Sequence, residues 1–330
     1  MREEIFVSGR NIPNIDPVLH IWHWQIPVYL FLGGLAAGLM FFSAFNYLRG
    51  RENKHEVTVK WASFIVPIAL VLGLIALFLD LKHQLYFWRL YTTIRFDSPM
   101  SWGAWTLMAI TPLSFLWCFS YLREFVSAFS GKKKWIDKAL NFTMNIVFKF
   151  KWVATFEAYV IKNRKAMAWA NVILSFILGI YTGILLSAFN ARPLWNSSIL
   201  GPLFLVSGLS TAAALIMWLT KDKDERKLFG QIDLLLIGLE LFLITHMFMG
   251  FLAGSQVKIE AAQLFLGGEF TAAFWTFVVG LGLVIPAIFE IMKLRGYKIP
   301  VALPAMLILI GGLIFRFIMV DAGQITRFLY

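Results

Sequence analysis

Side chains that can exchange protons stand near one predicted end of the apolar segments in this 330-residue chain. His23 and Tyr29 begin one apolar segment, and Tyr181 lies about two helical turns before the end of another. Imidazole and phenol groups donate hydrogen bonds and exchange protons. Gly33 and Gly34 follow and would let a flat ligand approach the backbone. This combination suits a quinone, whose two ring oxygens need such donors in a groove open to lipid.

Ionisable residues inside the apolar segments form a second group. A charged side chain at mid-bilayer costs about 2.5–3.5 kcal/mol, so such residues need partners or water. Asp233 and Glu290 lie at predicted inner ends of spans, where we expect headgroup water to reach them. For the others two interpretations are open, a buried ion pair that holds helices together and a route for protons. These other residues are Asp80, Glu240, His246 and Arg316.

The histidines and the single cysteine argue against a haem or metal site. Cys118 alone cannot supply a disulfide, a Cys-ligated iron–sulfur cluster or a Cys-x-x-Cys-His haem attachment. The five histidines offer no pair on facing spans at two depths, as a two-haem cytochrome would need. One haem between His246 and either His23 or His83 stays open as an alternative. The sequence has no carboxylate–histidine cluster with metal spacing, so we predict no haem and no metal in it.

The composition requires membrane-spanning helices to carry these residues. Hydrophobic residues make up 59% of the chain and charged residues 15%, whereas soluble domains have about 25% charged residues. This excludes a soluble enzyme, a disordered chain and a nucleic-acid-binding domain. Apolar stretches that reach the length of about 20 residues needed for a span predict an all-α integral membrane protein with eight transmembrane helices. The predicted spans are 25–48, 61–81, 102–122, 166–189, 201–220, 231–254, 270–292 and 299–320.

The distribution of lysine and arginine predicts the orientation. The loops 49–60, 123–165, 221–230 and 293–298 together hold 21 of these residues, and the alternate segments hold 8. Because basic loops stay on the cytoplasmic side, both termini are predicted on the outer, periplasmic side of the inner membrane. The net charge of +11 is then mostly a signal of orientation, and no nucleic-acid partner is expected.

The chain divides into an outer segment at 1–24, three spans at 25–122, an insertion at 123–165, a fourth span at 166–189 and four spans at 190–330. The first span is expected to act as the insertion signal, without a cleavable signal peptide. The insertion mixes basic and aromatic residues, which favours amphipathic helices on the inner membrane surface, facing lipid headgroups; a docking surface for a cytoplasmic partner is the alternative. A short similarity between 30–37 and 203–210 favours two four-helix bundles, with chance as the rival explanation.

Several motifs, in order, resemble the polysulfide-reductase membrane-subunit family, called NrfD-like. The resemblance runs from about residue 20 to residue 324. It is carried by DL at 80–81, FW at 87–88, SPMSWGAW at 98–105, YTGILLS at 181–187, RPLWN at 192–196, SGLSTAA at 207–213, and GG at 311–312 followed by Arg316 and AGQ at 322–324.

The resemblance implies eight spans in two four-helix bundles and a haem-free subunit that exchanges electrons with a membrane quinone, usually menaquinone or menaquinol. It implies a partner subunit with four iron–sulfur clusters on the outer face, and a molybdopterin or other catalytic subunit beyond it. Tyr181 matches the quinone-contacting tyrosine of the family. The family's Asn and His on the first helix correspond here to Ile26 and Tyr29, and its Gly-Arg-Pro after Asp80-Leu81 is replaced by Lys-His-Gln.

We therefore predict a quinone-interacting membrane subunit that does not itself act on the terminal substrate. A secondary transporter and a purely structural membrane anchor of a reductase are the alternatives. The predicted quinone-binding residues are His23, Tyr29, Gly33, Gly34 and Tyr181; the predicted proton pathway is Asp80, Glu240, His246 and Arg316; the predicted partner-facing loop contains Arg192, Trp195 and Asn196.

Overall fold

Eight helices in the computed structural model, which describes residues 21–129 and 149–327, are long and apolar enough to cross a membrane. No strand occurs in those two ranges. The prediction of an all-helical, multi-pass membrane protein is confirmed. The helices are α1 Gln25–Leu48, α2 Val57–Asp80, α3 Pro99–Ser120, α4 Arg164–Ser187, α5 Leu200–Leu219, α6 Lys223–Leu252, α7 Thr271–Leu294 and α8 Ala302–Ile325.

Helices α2 and α6 show the largest shifts from the starts that the apolar pattern predicts, because charged residues at their starts have partners. The first turn of α2 includes Lys60, whose Nζ lies 2.8 Å from a carboxylate oxygen of Glu124 and 3.4 Å from one of Glu56. Helix α6 begins at Lys223 because the Asp222 carboxylate accepts a hydrogen bond from a free backbone N–H of the first turn, at 2.9 Å. Both extensions are charged turns that hydropathy alone assigns to loops.

Close backbone contacts draw the helices together at glycine positions. A Cβ on Gly38 of α1 would lie 2.6 Å from the carbonyl oxygen of Gly208 on α5. The Cα of Gly311 on α8 would lie 2.9 Å from a Cβ on Gly282 of α7. Small residues permit such approaches between spanning helices. Helix α7 also has a long π-helical stretch, Phe274–Val284, beside the contact with α8.

Helix α1 is the centre of the packing and contacts α2, α4, α5 and α8. Helix α3 packs against α2 and α4, and α6 packs against α5 and α7. Helix α8 packs against α5 and α7, while α4 also contacts α5. These neighbours are compatible with two four-helix bundles that meet through α1, α4, α5 and α8. The bundle arrangement and the side that each terminus faces stay predictions.

The insertion between α3 and α4 contributes two described helices, Leu122–Phe129 and Lys151–Lys162. An ion pair between Arg123 and Glu157, at 2.7 Å, joins them. Trp152 and Tyr159 are 68% and 65% exposed, as the predicted membrane-surface position would require. The Lys132-Lys133-Lys134 run lies outside the described residues.

Candidate functional site

Two buried tyrosines face the interior near the predicted outer end of α1–α4. Tyr29 of α1 is 2% exposed, and Tyr181 of α4 is 7% exposed. A Cβ on Gly73 of α2 would lie 3.5 Å from the ring of Tyr29. A Cβ on Gly103 of α3 would overlap the ring of Tyr181. Glycines on α2 and α3 therefore make the room that the two aromatic rings occupy.

The hydroxyl groups of these tyrosines have no hydrogen-bond partner within residues 21–129 and 149–327. Tyr181 and Tyr91 are both close enough to Tyr29 to interact with it electrostatically. Neither hydroxyl oxygen is fully enclosed without a partner among the described residues, as the hydroxyl of Tyr121 is. Both phenol donors are therefore available to a ligand.

Three further groups lie at the same end of the first four helices. His23 is exposed just before α1, and the charge of Asp80 at the end of α2 interacts with it. Tyr91 lies half-buried in the single helical turn Arg89–Thr92, and its carbonyl oxygen accepts a hydrogen bond from the indole of Trp105 at 3.3 Å. Burial raises the pKa of Tyr91, which keeps its phenol protonated as a donor at neutral pH. Imidazole, carboxylate and phenol groups thus share this end of the helices with the tyrosine pair.

An apolar groove on the membrane-facing side of α2 reaches Tyr91, a neighbour of Tyr29. Its volume is about 290 Å³, and it runs along α2 below the turn that carries Tyr91. Ile75 and Phe78 of α2 form part of its wall and are 49% and 39% exposed. Phe87 and Leu90 cover its outer end. The groove has the apolar lining that a hydrophobic tail requires.

Gly33 and Gly34 lie elsewhere, at helix contacts. A Cβ on Gly33 would lie 3.5 Å from the methyl group of Thr182. A Cβ on Gly34 would lie 3.5 Å from the Cα of Gly208 and 3.6 Å from Nη2 of Arg316. The two glycines bring α1 against α4, α5 and α8. Their contact with a quinone stays a prediction.

A second polar region lies inside α5–α8. Arg316 is 1% exposed, and its Nη1 donates to Ser207 Oγ at 2.5 Å and to the Gly312 carbonyl at 3.3 Å. Its Nη2 donates to the carbonyl of Phe204 at 3.3 Å, and the guanidinium stacks 4.7 Å from that ring. Glu240 is 3% exposed, lines the same small cavity as Ser207 and interacts electrostatically with Arg316. The arginine and the glutamate thus both lie next to one serine.

The polar region continues from Glu240 towards the predicted inner side. Ser210 donates to Asp233 Oδ1 at 2.7 Å, while Asp233 Oδ2 has no partner in the described part of the chain. A cavity of about 10 Å³ lies between Ser207, Ser210 and Glu240, about the smallest space that holds a water molecule. Glu290 interacts with Asp233 and pairs with Lys293 at 2.8 Å.

This geometry corrects the expectation that headgroup water reaches Asp233, which is fully buried. The reason is that α6 starts at Lys223, so residue 233 lies about three turns inside the helix rather than at its end. Glu290 is 3% exposed but lines a cavity at the predicted inner end.

His246 lies apart from Glu240 and Arg316. It is exposed on α6, its Nδ1 lies 2.9 Å from the carbonyl oxygen of Phe242, and its ring packs 3.9 Å from that ring. Helix α6 packs against α5 and α7, whereas His23 and His83 flank α1 and α2. The described geometry therefore does not bring two histidines together as ligands of one haem. Asp80 also lies apart, at the end of α2.

The loop after α4 is largely buried in the protein's own packing. Arg192 is 8% exposed and donates to the carbonyl oxygens of Gln324 and Thr326 at 3.1 and 2.7 Å. Trp195 is 1% exposed, and its indole donates to the Met319 carbonyl at 2.8 Å. These two residues hold the end of α8, while Asn196 is partly exposed. A surface role in partner docking does not fit the buried positions of Arg192 and Trp195.

The sequence motifs contained several site residues whose roles they did not reveal. Tyr91 follows the FW motif by three residues, and a phenol in an outer loop could have been added to the quinone candidates. Ser207 and Ser210 lie in the SGLSTAA motif, but a serine inside an apolar span carries no charge signal. Only the packing of α5 against α6 and α8 shows that these hydroxyls bond to an aspartate and an arginine.

The family model described as polysulphide reductase, NrfD, matches residues 13–328, nearly the whole sequence. The chain belongs to the NrfD family. It is 30% identical to a polysulfide reductase component of Wolinella succinogenes, over 92% of this chain and 94% of the relative. It is 30% identical to protein NrfD of Escherichia coli, over 93% of this chain and 96% of that protein. A selenate reductase component of Mesobacillus selenatarsenatis is 24% identical, over 92% of this chain and 74% of the relative. Membership in the family agrees with the resemblance of the motifs.

Proposed function

We propose that this protein is the membrane subunit of a respiratory reductase complex and that it exchanges electrons with a menaquinone-type quinone at Tyr29 and Tyr181. The observation that carries the proposal is the pair of buried tyrosines whose hydroxyls have no partner among the described residues, with Tyr29 close to Tyr91, which lines a lipid-facing groove. Two relatives are named as single components of a polysulfide reductase and of a selenate reductase, which supports the assignment to a multi-subunit reductase.

The tyrosines would donate hydrogen bonds to the ring oxygens, while the groove along α2 takes the isoprenoid tail. Oxidation of a quinol to a quinone releases two protons and two electrons. His23 and Asp80 interact near the outer end of the helices, so they are placed to accept the protons and release them to water. The electrons leave one at a time to an iron–sulfur subunit. The reverse reaction uses the same groups with protons and electrons moving inward.

The connection between α2 and α3 is our candidate surface for that iron–sulfur subunit. It joins the groove to the outer face and carries exposed apolar side chains, with Leu85 at 88% and Phe96 at 72% exposure. Its basic residues, Lys82, Arg89 and Arg95, are also exposed. Exposed apolar groups rimmed by charge are typical of protein interfaces. A molybdopterin or other catalytic subunit would lie beyond the iron–sulfur subunit, outside the inner membrane.

The polar region inside α5–α8 supports either of two roles. The internal partners of Arg316 favour a structural pair with Glu240, while the water-sized cavity and the buried Asp233 favour a proton route from the inner side. In a coupled enzyme the second role would add proton translocation to electron transfer. The alternatives of a transporter and of a simple anchor make different predictions about bound quinone.

Tyr181→Phe tests the quinone site. We expect quinol-dependent electron transfer by the complete complex to fall at least about tenfold, because one hydrogen bond to a quinone oxygen is lost from a desolvated site. Electron transfer from an artificial donor that reduces the iron–sulfur subunit directly should be unchanged. Tyr159→Phe is the control, since Tyr159 is 65% exposed on the helix Lys151–Lys162. Unchanged quinol turnover in Tyr181→Phe would refute the role.

Extraction of the purified complex separates the alternative functions. We expect a quinone in the organic extract and iron–sulfur subunits among the purified proteins. A pure anchor would retain the subunits without quinone, and a transporter would purify without redox subunits. Either result would overturn the proposed function.

A further inference from the structure

A basic vestibule lies at the predicted inner end of α5, α6 and α7. Its volume is about 690 Å³, and the connection between α7 and α8 forms one wall. Glu290 is its single acidic lining residue and is paired with Lys293 at 2.8 Å. The basic lining residues are Lys223, Arg226, Lys227, Lys293 and Lys298.

The positive charge of this vestibule is largely uncompensated. No acidic side chain of the described residues lies within 4 Å of the ammonium groups of Lys223, Lys227 and Lys298. Arg226 donates from Nη2 to the Thr220 carbonyl at 2.5 Å, and its Nε is buried without a partner in the described ranges. Like charges around one cavity repel each other, so an anion that enters it would be held by several charge-assisted hydrogen bonds.

The other walls of the vestibule are apolar. Met217, Leu294 and Val301 line it, and Tyr297 is 61% exposed at its edge. Ile291, one turn before the end of α7, is 40% exposed on the membrane-facing surface. A ligand that fills the vestibule can therefore place a charged group among the lysines and an apolar group along α7.

We propose that the vestibule binds an anionic phospholipid, with its phosphate among Lys223, Lys227 and Lys298 and an acyl chain along α7. Basic pockets between spanning helices on the cytoplasmic side suit acidic lipid headgroups. A free phosphate would use the lysines but would leave the apolar half unused. The proposal is independent of the quinone site, which lies at the opposite end of the molecule.

Native mass spectrometry of the full-length protein tests this proposal. The protein would be titrated with phosphatidylglycerol, cardiolipin and phosphatidylcholine. We expect the two anionic lipids to bind preferentially and to be retained about tenfold less well by Lys227→Gln/Lys298→Gln, because each lysine near an anionic headgroup contributes substantially to its binding. The control is Lys162→Gln/Lys165→Gln, which removes the same charge from exposed positions on the same predicted face. That control should keep its preference.

Three outcomes would overturn the lipid site. The first is equal binding of phosphatidylcholine and phosphatidylglycerol. The second is an equal loss of anionic lipid in the vestibule and control variants, which would indicate general surface charge. The third is complete displacement of the lipid by millimolar inorganic phosphate, which would identify a soluble phosphate as the ligand. Because the readout is lipid retention, none of these outcomes depends on quinol turnover.

Discussion

The tyrosine pair in α1–α4 and the polar region in α5–α8 bury polar groups in opposite ways. Tyr29 and Tyr181 are buried, yet their hydroxyls have no partner in the described part of the chain. Arg316 is equally buried, but it donates to a serine and two carbonyl oxygens and stacks on an aromatic ring. The first region leaves two phenol donors available to a ligand. The second pairs most of the donors of Arg316 internally, while Arg316 Nε and Asp233 Oδ2 have no partner among the described residues.

The difference also separates side chains that would bind a ligand from side chains that stabilise the fold. Removing a group whose partner is an absent ligand should affect activity and leave folding nearly intact. Removing a group with internal partners should affect folding first, because it leaves the partners buried and unpaired. Variants in the two regions can therefore test the comparison directly.

The largest effect is expected for Arg316→Gln. Arg316 and Glu240 are not within the 4 Å of an ion pair, but they interact electrostatically in a buried region. Removing one of two such buried charges leaves the other without compensation, which costs up to about 3–5 kcal/mol. Thermal unfolding in detergent should show a clear loss of stability. Glu240→Gln in the same protein should restore part of it if the two residues are a structural pair.

The double variant distinguishes the two roles of the polar region. Restored stability together with normal proton release during quinol turnover would support a structural pair alone. Restored stability with loss of coupled proton uptake from the inner side, measured in reconstituted vesicles, would support a proton route. A double variant no more stable than Arg316→Gln would contradict the coupling between Arg316 and Glu240.

Gly103→Ala should have the next largest effect. The added Cβ overlaps the ring of Tyr181, so either α3 or the tyrosine must move. Overpacking of this kind costs about 1–3 kcal/mol, and quinol turnover should fall with the displacement of the phenol. Gly238→Ala on α6 is the matched control, since its added Cβ would meet no atom of the described residues within 4 Å apart from its chain neighbours and the nearby backbone of its own helix. Equal turnover of the two variants would show that the position of Tyr181 does not matter.

The sequence predicted the spans well because apolar length is a direct requirement of the bilayer. It missed the starts of α2 and α6, where Lys60 and Asp222 have local partners that hydropathy does not register. Tyr181 was found from its residue type and its position near the predicted outer end of a span, and a family motif supports it, but its packing on Gly103 could not be inferred from spacing alone. Arg192 was assigned to the surface because a charged loop residue is usually solvated, but the end of α8 supplies carbonyl acceptors that bury it.

Tyr29→Phe is expected to have a smaller and opposite effect on stability. Because its hydroxyl has no internal partner among the described residues, its removal should leave the unfolding temperature of the quinone-free protein unchanged or slightly higher. One hydrogen bond contributes about 0.5–1.5 kcal/mol, so affinity for a quinone analogue should fall several-fold. Inhibitor titration and thermal unfolding of the same preparation measure both quantities. Lower stability without any change in affinity would mean that the phenol has a structural partner instead.

The smallest effect is expected for His246→Leu. The imidazole is exposed on the membrane-facing side of α6 and, among the described residues, bonds only to a carbonyl of its own helix, so its replacement by an apolar side chain should change stability by about 0.5 kcal/mol or less. If protons pass through Glu240 and Asp233, they do not need this residue, and both turnover and proton uptake should stay at the level of the unmodified protein. A marked loss of proton uptake in this variant would place the route on the outer surface of α6. Protons would then follow a lipid-facing path on α6 that lies outside both buried regions.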